Sequence, residues 1–475
     1  MERGAEIMIV DAVRRPLDPR GILWRLTWMR NLVTAISSLL IALCPAVPVA
    51  AQSPDPLATR LDAALSAAAG HDRFYGTVLL ARDGKVLLRK AYGPRDRQGT
   101  PATPRQHYNI GSVGKLFTMA LILKQVQNGR LTLDDTIAMH WPESGLPNAD
   151  KITIRQLLSH TSGYGNYFDN PDYSLAQRST DDFLNLVRSG KVEFAPGTGF
   201  FYSNSAFWVL ARILEKTDPQ HRDWQTLFRE EIFQPAGMNT IVALQPDEAS
   251  PERPDGFVLR PDGTIDPSLQ DPRPGPDGGW YATADDLLAF SRGIERHLWF
   301  GSVLDQLATR PVAHWEDLGA DVGLVWELYA AGDRHYVTKG GTTQGGGAEL
   351  IRFRHGRANY TLVLLSNLEN APLFLFKPLL AYANGDPEAR LPGADPQVTL
   401  YRAALDHQLP STVSEYRKWA RANELEIGPM PMLMAGMGLS QKGKSEEAKN
   451  LLQLTSDLFP DNTLARDLLA SVTTG

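Results

Sequence analysis

Residues 109–118 read Asn-Ile-Gly-Ser-Val-Gly-Lys-Leu-Phe-Thr and open the strongest helical pattern of the chain, which runs to Asn128-Gly129. Apolar residues lie on nearly every side of this pattern, so it predicts a helix buried in the middle of a domain. Because residues three apart share one face of a helix, the Ser112 hydroxyl and the Lys115 amine are expected to reach each other. The start of a helix also offers free backbone N–H groups and the positive end of the helix dipole.

A serine hydroxyl needs a base before it can act as a nucleophile near neutral pH. A lysine can be that base, directly or through a third group, when burial or a neighbouring cation lowers its pKa. Taken alone, Ser112-x-x-Lys115 fits a helix cap equally well, because serine is a common N-cap residue. A phosphate-binding loop is excluded, since that motif needs Gly where Asn109 stands and Ser or Thr where Leu116 stands.

The composition is that of a globular chain: 475 residues, 43% hydrophobic, with a formal net charge of -6. This length suffices for one large domain or two smaller ones. The two signs of charge are interspersed, and the sequence has no basic block, no aromatic-basic repeat and no Cys/His spacing of a metal site. The sequence therefore predicts no nucleic-acid partner, no metal and no cofactor.

The amino-terminal residues 1–51 have the pattern of a secretory signal peptide. Met29 and a following arginine precede an apolar run over residues 32–47, which predicts cleavage near Ala51-Gln52 and translation starting at Met29. A membrane anchor is the alternative, but the run is short for a spanning helix. The mature chain would be exported, periplasmic or secreted, without a stable membrane anchor. Because the single cysteine, Cys44, lies in the apolar run, the mature chain cannot form a disulfide.

The first part of the mature chain predicts a helix near residues 57–69 and then a β-hairpin. Two apolar runs within residues 76–88 are joined by Asp83-Gly84, a dipeptide typical of tight hairpin turns. Further along, a short helix over residues 152–158 runs into a polar loop that contains His160. We interpret His160 as structural rather than catalytic, because the neighbouring Ser and Thr hydroxyls can satisfy its ring.

The next polar segment contains Tyr202 and Asn204 ahead of a helical pattern. A phenol and an amide two residues apart on a turn can both point into a cleft. Two nearby ammonium groups would favour the Tyr202 phenolate and make it a proton shuttle. A buried tyrosine at a helix start is the alternative.

Residues 246–278 are rich in Pro, Gly and Asp and predict a long surface loop with one hairpin at residues 261–263, of the kind that shapes substrate access. A glycine cluster then follows Lys339, which we expect to end a strand. Glycines beside a lysine let the backbone approach a substrate closely and point N–H groups at a developing oxyanion. A flexible turn is the alternative.

The order Ser112-x-x-Lys115, Tyr202-x-Asn204, Lys339-Gly340-Gly341 resembles the three motifs of the penicillin-recognising serine enzymes, which comprise class C β-lactamases, D-Ala-D-Ala peptidases and related esterases. The resemblance covers roughly residues 58–383 and extends to connecting stretches such as Leu157-Leu158-Ser159-His160-Thr161-Ser162-Gly163. It implies an α/β (α+β) fold of the β-lactamase/transpeptidase type, with an antiparallel sheet flanked by helices and an all-helical domain.

The resemblance also implies roles for individual residues. Ser112 would be the acylated nucleophile, with Lys115 and Tyr202 as the proton-handling pair, and which of the two is the direct base stays open. The substrate-binding residues would be Asn204, Lys339, Gly340 and Gly341. The oxyanion hole would consist of the backbone N–H groups of Ser112 and Thr342.

Departures from the family pattern leave the substrate open. Gly340 replaces the hydroxyl residue usual in β-lactamases, which removes a contact to a β-lactam carboxylate, and Gln344 stands where relatives often carry Pro. Residues 181–185 mimic the class A deacylation motif, but with Asp for Glu and in the wrong order. The expected activity is hydrolysis of an ester, a peptide amide or a β-lactam, with a small molecule or peptide as substrate. The alternative is a catalytically inactive protein that binds peptidoglycan or a partner.

The sequence divides into a hydrolase domain over residues 52–384, a linker over 385–399 and a helical extension over 400–475. The extension resembles one tetratricopeptide-type repeat with a capping helix. One repeat cannot bury its own faces. We expect it to pack on the hydrolase domain, and docking of a protein partner is the alternative.

Overall fold

The computed structural model describes residues 55–174, 177, 179–244, 248, 250–268, 274–331, 334–423, 425 and 428–474. The predicted signal peptide, residues 1–51, lies outside these ranges. Within them, no helix combines the length and the apolar character needed to cross a bilayer.

Most of the strands belong to one large antiparallel sheet. In chain order the strands are β1 (Gly76–Arg82), β2 (Lys85–Tyr92), β3 (Tyr108–Asn109), β4 (Gly256–Leu259), β5 (Ile265–Ser268), β6 (Tyr281–Ala282), β7 (Ala313–Trp315), β8 (Ala320–Val322), β9 (Glu327–Ala331), β10 (Arg334–Thr343), β11 (Gly346–His355) and β12 (Ala358–Ser366). The large sheet has the order β2-β1-β12-β11-β10-β9-β8-β7, while β3 pairs with β6 and β4 with β5.

Helices surround this sheet and continue beyond it to the end of the described chain. They are α1 (Pro56–Gly70), α2 (Lys115–Gln127), α3 (Ile137–His140), α4 (Ile154–Leu158), α5 (Thr180–Ser189), α6 (Ser205–Thr217), α7 (Trp224–Leu227), α8 (Gln234–Ala236), α9 (Ala284–Glu295), α10 (Ser302–Ala308), α11 (Ala371–Ala383), α12 (Pro396–Leu405), α13 (Val413–Ala422), α14 (Pro429–Gln441), α15 (Ser445–Leu458) and α16 (Thr463–Thr474).

The central strands are buried on both faces. In β1, Leu79 belongs to one hydrophobic core and Val78 and Leu80 to another, because successive side chains of a strand point to opposite faces. Helices α1 and α11 supply the core on one face of the sheet. The helical region around α2 and α6 supplies the core on the other. The predicted antiparallel sheet flanked by helices is therefore confirmed.

The hairpin predicted at Asp83-Gly84 is confirmed, since β1 and β2 pair in antiparallel fashion on either side of it. Both turn residues have positive φ angles, 49° and 75°, as a two-residue turn between twisted strands requires. The hairpin predicted around residues 261–263 is also confirmed, and it joins β4 to β5.

Helix α2 is buried along most of its length, as predicted, but it begins at Lys115 rather than at Ser112. Residues 111–114 form a single 3-10 turn instead. Gly111 has a φ angle of 46°, which lies outside the right-handed helical region, so the α-helix cannot extend back through it. The nucleophile candidate thus lies in the turn that leads into the helix.

The last five helices have a hydrophobic core of their own, to which Leu400, Met432 and Leu451 contribute. Helices α14 and α15 are joined by a short turn, and the helical extension predicted for this part of the chain is confirmed. Helix α12 begins at Pro396, within the segment predicted as a linker. The division into domains and the likeness to a tetratricopeptide repeat remain predictions.

This carboxy-terminal helical unit, α12 to α16, contacts the β4–β5 hairpin. The guanidinium of Arg402 donates hydrogen bonds of 3.3 and 3.2 Å to the Asp262 carbonyl at the hairpin tip. Gly438 lies so close to Pro261 that a Cβ on the glycine would be 2.6 Å from the proline Cγ. The unit therefore packs on the sheet-containing part of the chain through this hairpin.

Candidate active site

The 3-10 turn at residues 111–114 places Ser112 next to Lys115, the first residue of α2. In a 3-10 turn, side chains three apart lie directly above each other. The Nζ of Lys115 is 3.0 Å from the Oγ of Ser112. The pair expected from the sequence is therefore in contact, although the turn is tighter than the predicted helix.

Glycines allow the backbone to close around this turn. A Cβ on Gly278 would lie 2.3 Å from the Gly111 carbonyl oxygen, and one on Gly114 would lie 2.9 Å from the Gly278 Cα. Contacts this short leave no room for a side chain at either position. The close approach of the backbone beside Ser112 thus explains why positions 114 and 278 are glycines.

Lys115 is completely buried, and its Nζ has two further neighbours besides Ser112. These are the Asn204 Oδ1 at 2.5 Å and the Asp277 carbonyl oxygen at 2.7 Å. Burial lowers the pKa of Lys115, and the nearby Lys339 cation lowers it further, against the opposing influence of Tyr202 and Asp277. The Nζ donates to the Ser112 Oγ and to both carbonyl oxygens, and loss of one proton would leave a lone pair facing Ser112 while the two carbonyl oxygens keep their donors.

The hydroxyl of Tyr202 interacts with the side chains of Ser112, Lys115 and Lys339. Burial by itself would raise its pKa, but the ammonium groups of the two lysines outweigh that effect and lower it. The ring centroid lies 5.1 Å from the Nζ of Lys115 and 4.9 Å from that of Lys339. The phenol is thus placed to exchange a proton with Ser112 or Lys115.

Two aromatic rings hold Tyr202 between them. The His160 ring stacks on one face with centroids 4.4 Å apart, and Trp315 of β7 stacks on the other at 4.7 Å. The Nδ1 of His160 accepts a hydrogen bond from the Ser203 backbone N–H, and burial holds the pKa of this histidine well below its usual range. His160 is therefore a neutral packing partner, in line with the structural role expected for it.

The His160 ring does not hydrogen-bond to the neighbouring Ser and Thr hydroxyls, although this was expected from the sequence. The hydroxyls of Ser159 and Thr161 hydrogen-bond each other at 2.9 Å. His160 has a left-handed backbone with φ of 60°, and its ring reaches the backbone after Tyr202 instead.

Asn166, which the sequence analysis did not identify, orients the Tyr202-x-Asn204 segment. Its Oδ1 accepts hydrogen bonds from the backbone N–H and the side-chain amide of Asn204, at 2.8 and 2.9 Å. Its Nδ2 donates to the Tyr202 carbonyl at 3.1 Å. Because the Asn204 amide nitrogen is held in this way, the Asn204 oxygen points to Lys115.

Lys339 and the two glycines after it lie inside β10, so the expectation that Lys339 ends a strand is wrong, and so is the alternative of a flexible turn. The turn comes later, at Gln344-Gly345. The Lys339 side chain is only 1% exposed, and its Nζ lies 2.5 Å from the Oε1 of Glu327 on β9. Burial disfavours the ammonium, but the Glu327 carboxylate and Tyr202 outweigh it and raise the pKa of Lys339.

Strand β10 passes directly against the 3-10 turn of Ser112. A Cβ on Gly341 would lie 2.0 Å from the Ile110 carbonyl oxygen and 2.8 Å from the Ser112 nitrogen, and one on Gly111 would lie 3.1 Å from the Thr342 nitrogen. The backbone around Thr342 therefore lies close to that around Ser112, and an oxyanion hole formed by their N–H groups remains a prediction.

These residues surround a cavity of about 680 Å³. Six of the eight predicted site residues line it, namely Ser112, Tyr202, Asn204, Lys339, Gly340 and Thr342. The other two, Lys115 and Gly341, lie directly behind its wall. The rim carries aromatic side chains from Tyr167, Phe168, Tyr173 and Trp315. Two carboxylates, Asp277 and Glu327, also line the cavity, and the sequence analysis had not identified either of them.

Comparison with known proteins places these features in a family context. The β-lactamase family model matches residues 61–381. A penicillin-binding protein of Bacillus subtilis strain 168 is 28% identical over 320 residues, which cover 62% of this chain and 69% of the relative. A D-aminopeptidase of Brucella anthropi is 25% identical over 383 residues, which cover 78% of this chain and 71% of the relative.

A solved structure has the same fold. The crystal structure of a penicillin-binding protein from Bacillus halodurans superposes with a TM-score of 0.57 at 24% identity, covering 68% of this chain and 99% of that one. At this level of identity the likeness concerns the fold alone.

Proposed function

The chain belongs to the β-lactamase family, and from its fold and cavity we propose that it is a serine hydrolase that acts through an acyl-enzyme on Ser112. The observation that carries the proposal is the 3.0 Å contact between the Ser112 Oγ and the Lys115 Nζ at the wall of the cavity. Burial lowers the pKa of this lysine, so its basic form is available beside the hydroxyl at a lower pH than in an exposed lysine.

In the acylation step, the Ser112 hydroxyl gives its proton to the Lys115–Tyr202 pair while its Oγ bonds to the substrate carbonyl carbon. The backbone N–H groups of Ser112 and Thr342 stabilise the oxyanion, and each such donor contributes about 3 kcal/mol to the transition state. The bond to the leaving group then breaks, and the leaving group takes the proton from the pair. A water molecule attacks the ester carbonyl in the second half, the acid is released and Ser112 regains its proton.

The substrate class that we propose is an ester, a peptide amide or a β-lactam. The names of two relatives, a penicillin-binding protein and a D-aminopeptidase, support the β-lactam and the peptide amide among these classes. We further propose that the protein is exported, on the strength of the signal-peptide pattern before Gln52.

The test is covalent labelling of the full chain by a serine-reactive fluorophosphonate, together with the burst of nitrophenol from a p-nitrophenyl ester. We expect the wild-type chain to be labelled and to show a burst, and Ser112→Ala to lose both. Ser302→Ala, which removes an exposed hydroxyl from α10, is the matched control and should keep both. Labelling that persists in Ser112→Ala would refute the proposal. A wild-type chain that is not labelled and releases no nitrophenol would favour the inactive binding protein instead.

A further inference from the structure

The charge at the Lys339 side of the cavity is already balanced by the protein. Of the described residues that line the cavity, Lys339 is the only cation, and the Glu327 carboxylate is 2.5 Å from its ammonium. The second oxygen of Glu327 accepts a hydrogen bond of 3.3 Å from the Gly340 N–H. Asp277 adds a further negative charge to the lining. A carboxylate entering this region would therefore find no unpaired cation.

A second acid, Glu349 of β11, explains why position 340 is a glycine. Glu349 lies directly opposite Gly340 in the β10–β11 pairing and is completely buried. A Cβ on Gly340 would lie 2.8 Å from the Oε2 of Glu349, which is closer than carbon and oxygen can approach. Burial, together with the nearby Glu327, raises the pKa of Glu349 well above its usual range and so favours its protonated form. The Glu349 carboxyl thus occupies the space that a hydroxyl side chain at position 340 would need.

We place the leaving group of the substrate on this side of the cavity. It receives its proton from the Lys115–Tyr202 pair, and the Tyr202 ring centroid is 4.9 Å from the Lys339 Nζ. Gly340 and Glu327 line the same region. A carboxylate on the leaving group, as in a β-lactam or a peptide with a free carboxy terminus, would therefore meet Glu327 and lack the hydroxyl contact.

Building on the proposed function, we propose that Glu327 and Glu349 restrict this site to substrates whose leaving group carries no carboxylate, namely neutral esters and amides. Glu327 neutralises the lysine that would attract an anion. Glu349 excludes, at position 340, the hydroxyl side chain that would hydrogen-bond to the anion. Both are specificity-determining residues, whereas the acyl transfer itself belongs to Ser112 and its neighbours.

The experiment compares two acetate esters whose leaving phenols carry either a neutral carboxamide or a negatively charged carboxylate at the same ring position. One is the ester of 3-hydroxybenzamide and the other that of 3-hydroxybenzoate. We expect the wild-type chain to have a kcat/KM for the neutral ester that is about tenfold or more above that for the anionic ester, since an unfavourable charge in a partly buried site has effects of this size. Glu327→Gln leaves the Lys339 charge unpaired and should reduce this ratio by about tenfold. Glu388→Gln removes the same charge from an exposed loop and should leave the ratio at the wild-type value.

A second pair of variants tests the role of Glu349, and it gives a result even if Glu327→Gln folds poorly. Gly340→Ser alone should reduce hydrolysis of both esters, because its Cβ would force the buried Glu349 carboxyl to move. Adding Glu349→Ala removes that carboxyl, so the double variant should regain hydrolysis and accept the anionic ester. Equal ratios in wild type and Glu327→Gln, or full activity of Gly340→Ser alone, would overturn the inference. Neither result affects the proposed function, which fails if wild-type protein hydrolyses neither ester or if Ser112→Ala is still labelled.

Discussion

The side-chain nitrogens of Lys115 and Lys339 lie against the Tyr202 ring. This arrangement sets the pH at which Lys115 and Tyr202 lose their protons. The pKa of Lys115 is lowered by burial and by Lys339, and that of Tyr202 is lowered by both lysines in spite of burial. Each shift favours the basic form at a lower pH than in an exposed side chain. We therefore expect the rising limb of kcat/KM for a neutral ester to lie below pH 10, the region in which unperturbed lysine and tyrosine titrate.

Lys339→Met should move this limb to higher pH. Loss of the cation removes a repulsion from the Lys115 ammonium and an attraction from the Tyr202 phenolate, so both pKa values rise. Glu327→Gln should move the limb the other way, because the Glu327 carboxylate raises the pKa of Tyr202. The measurement is kcat/KM against pH for the neutral ester.

The control for this prediction is Lys449→Met, which removes an exposed cation from α15 and should leave the limb in place. If the limb of Lys339→Met coincides with that of the wild type, Lys339 does not tune the base. In that case burial alone would have to lower the pKa of Lys115, and Lys115 would have to lower that of Tyr202 without Lys339.

At the scale of elements, the site depends on the contact between β10 and the 3-10 turn before α2. A Cβ on Gly341 would lie 2.0 Å from the Ile110 carbonyl oxygen, so Gly341→Ala must push the strand away from the turn. This would separate the Ser112 and Thr342 nitrogens. Since a displacement of about 1 Å can reduce a rate about 100-fold, we expect a loss of kcat/KM of that order for the neutral ester.

The matched control is Gly70→Ala, at the end of α1, where a Cβ would meet nothing within 4 Å. This variant should retain wild-type kcat/KM. Wild-type activity in Gly341→Ala would show that the close approach of β10 to the turn is not needed for catalysis.

The sequence predicted many of the elements and the Ser112–Lys115 contact, because each depends on residues close together in the chain. Asp83-Gly84 determines a hairpin locally, and the Ser112–Lys115 contact survives the change from α-helix to 3-10 turn, since both bring residues three apart onto one face. Asn166 and Asp277 were not predicted. They reach Tyr202, Asn204 and Lys115 only through tertiary folding, and no local pattern distinguishes them from other polar residues.

The position of Glu349 opposite Gly340 could have been predicted from the sequence. Once Gln344-Gly345 is taken as the two-residue turn between β10 and β11, counting outward places Gly340 opposite Glu349. The sequence analysis instead expected Lys339 to end a strand. The pairing, and with it the reason for glycine at position 340, was therefore missed.

On the scale of the whole molecule, the β4–β5 hairpin touches two distant regions. Its tip contacts the carboxy-terminal helical unit through Asp262 and Pro261. Its base lies beside the β10–β11 turn, where a Cβ on Gly345 would be 2.9 Å from the Gly256 Cα. The described residues that line the cavity extend only to Leu373, so the helical unit does not contribute to the cavity itself.

The contact between Gly438 and Pro261 allows the attachment of the helical unit to be tested separately from catalysis. Gly438→Leu would place a side chain where Pro261 already lies 2.6 Å from the Cβ position, and the unit should detach from the hairpin. Leucine is favoured over glycine within a helix by somewhat less than about 1 kcal/mol, so any fall in stability must come from this contact. We expect a lower melting temperature and faster proteolysis within residues 385–395, with hydrolysis of the neutral ester within about twofold of wild type because the cavity lies elsewhere. Gly428→Leu, where a Cβ would meet nothing within 4 Å, is the control and should match the wild type in all three measurements. A large loss of hydrolysis in Gly438→Leu alone would mean that the hairpin transmits the displacement to the β10–β11 turn, and that the helical unit supports the active site.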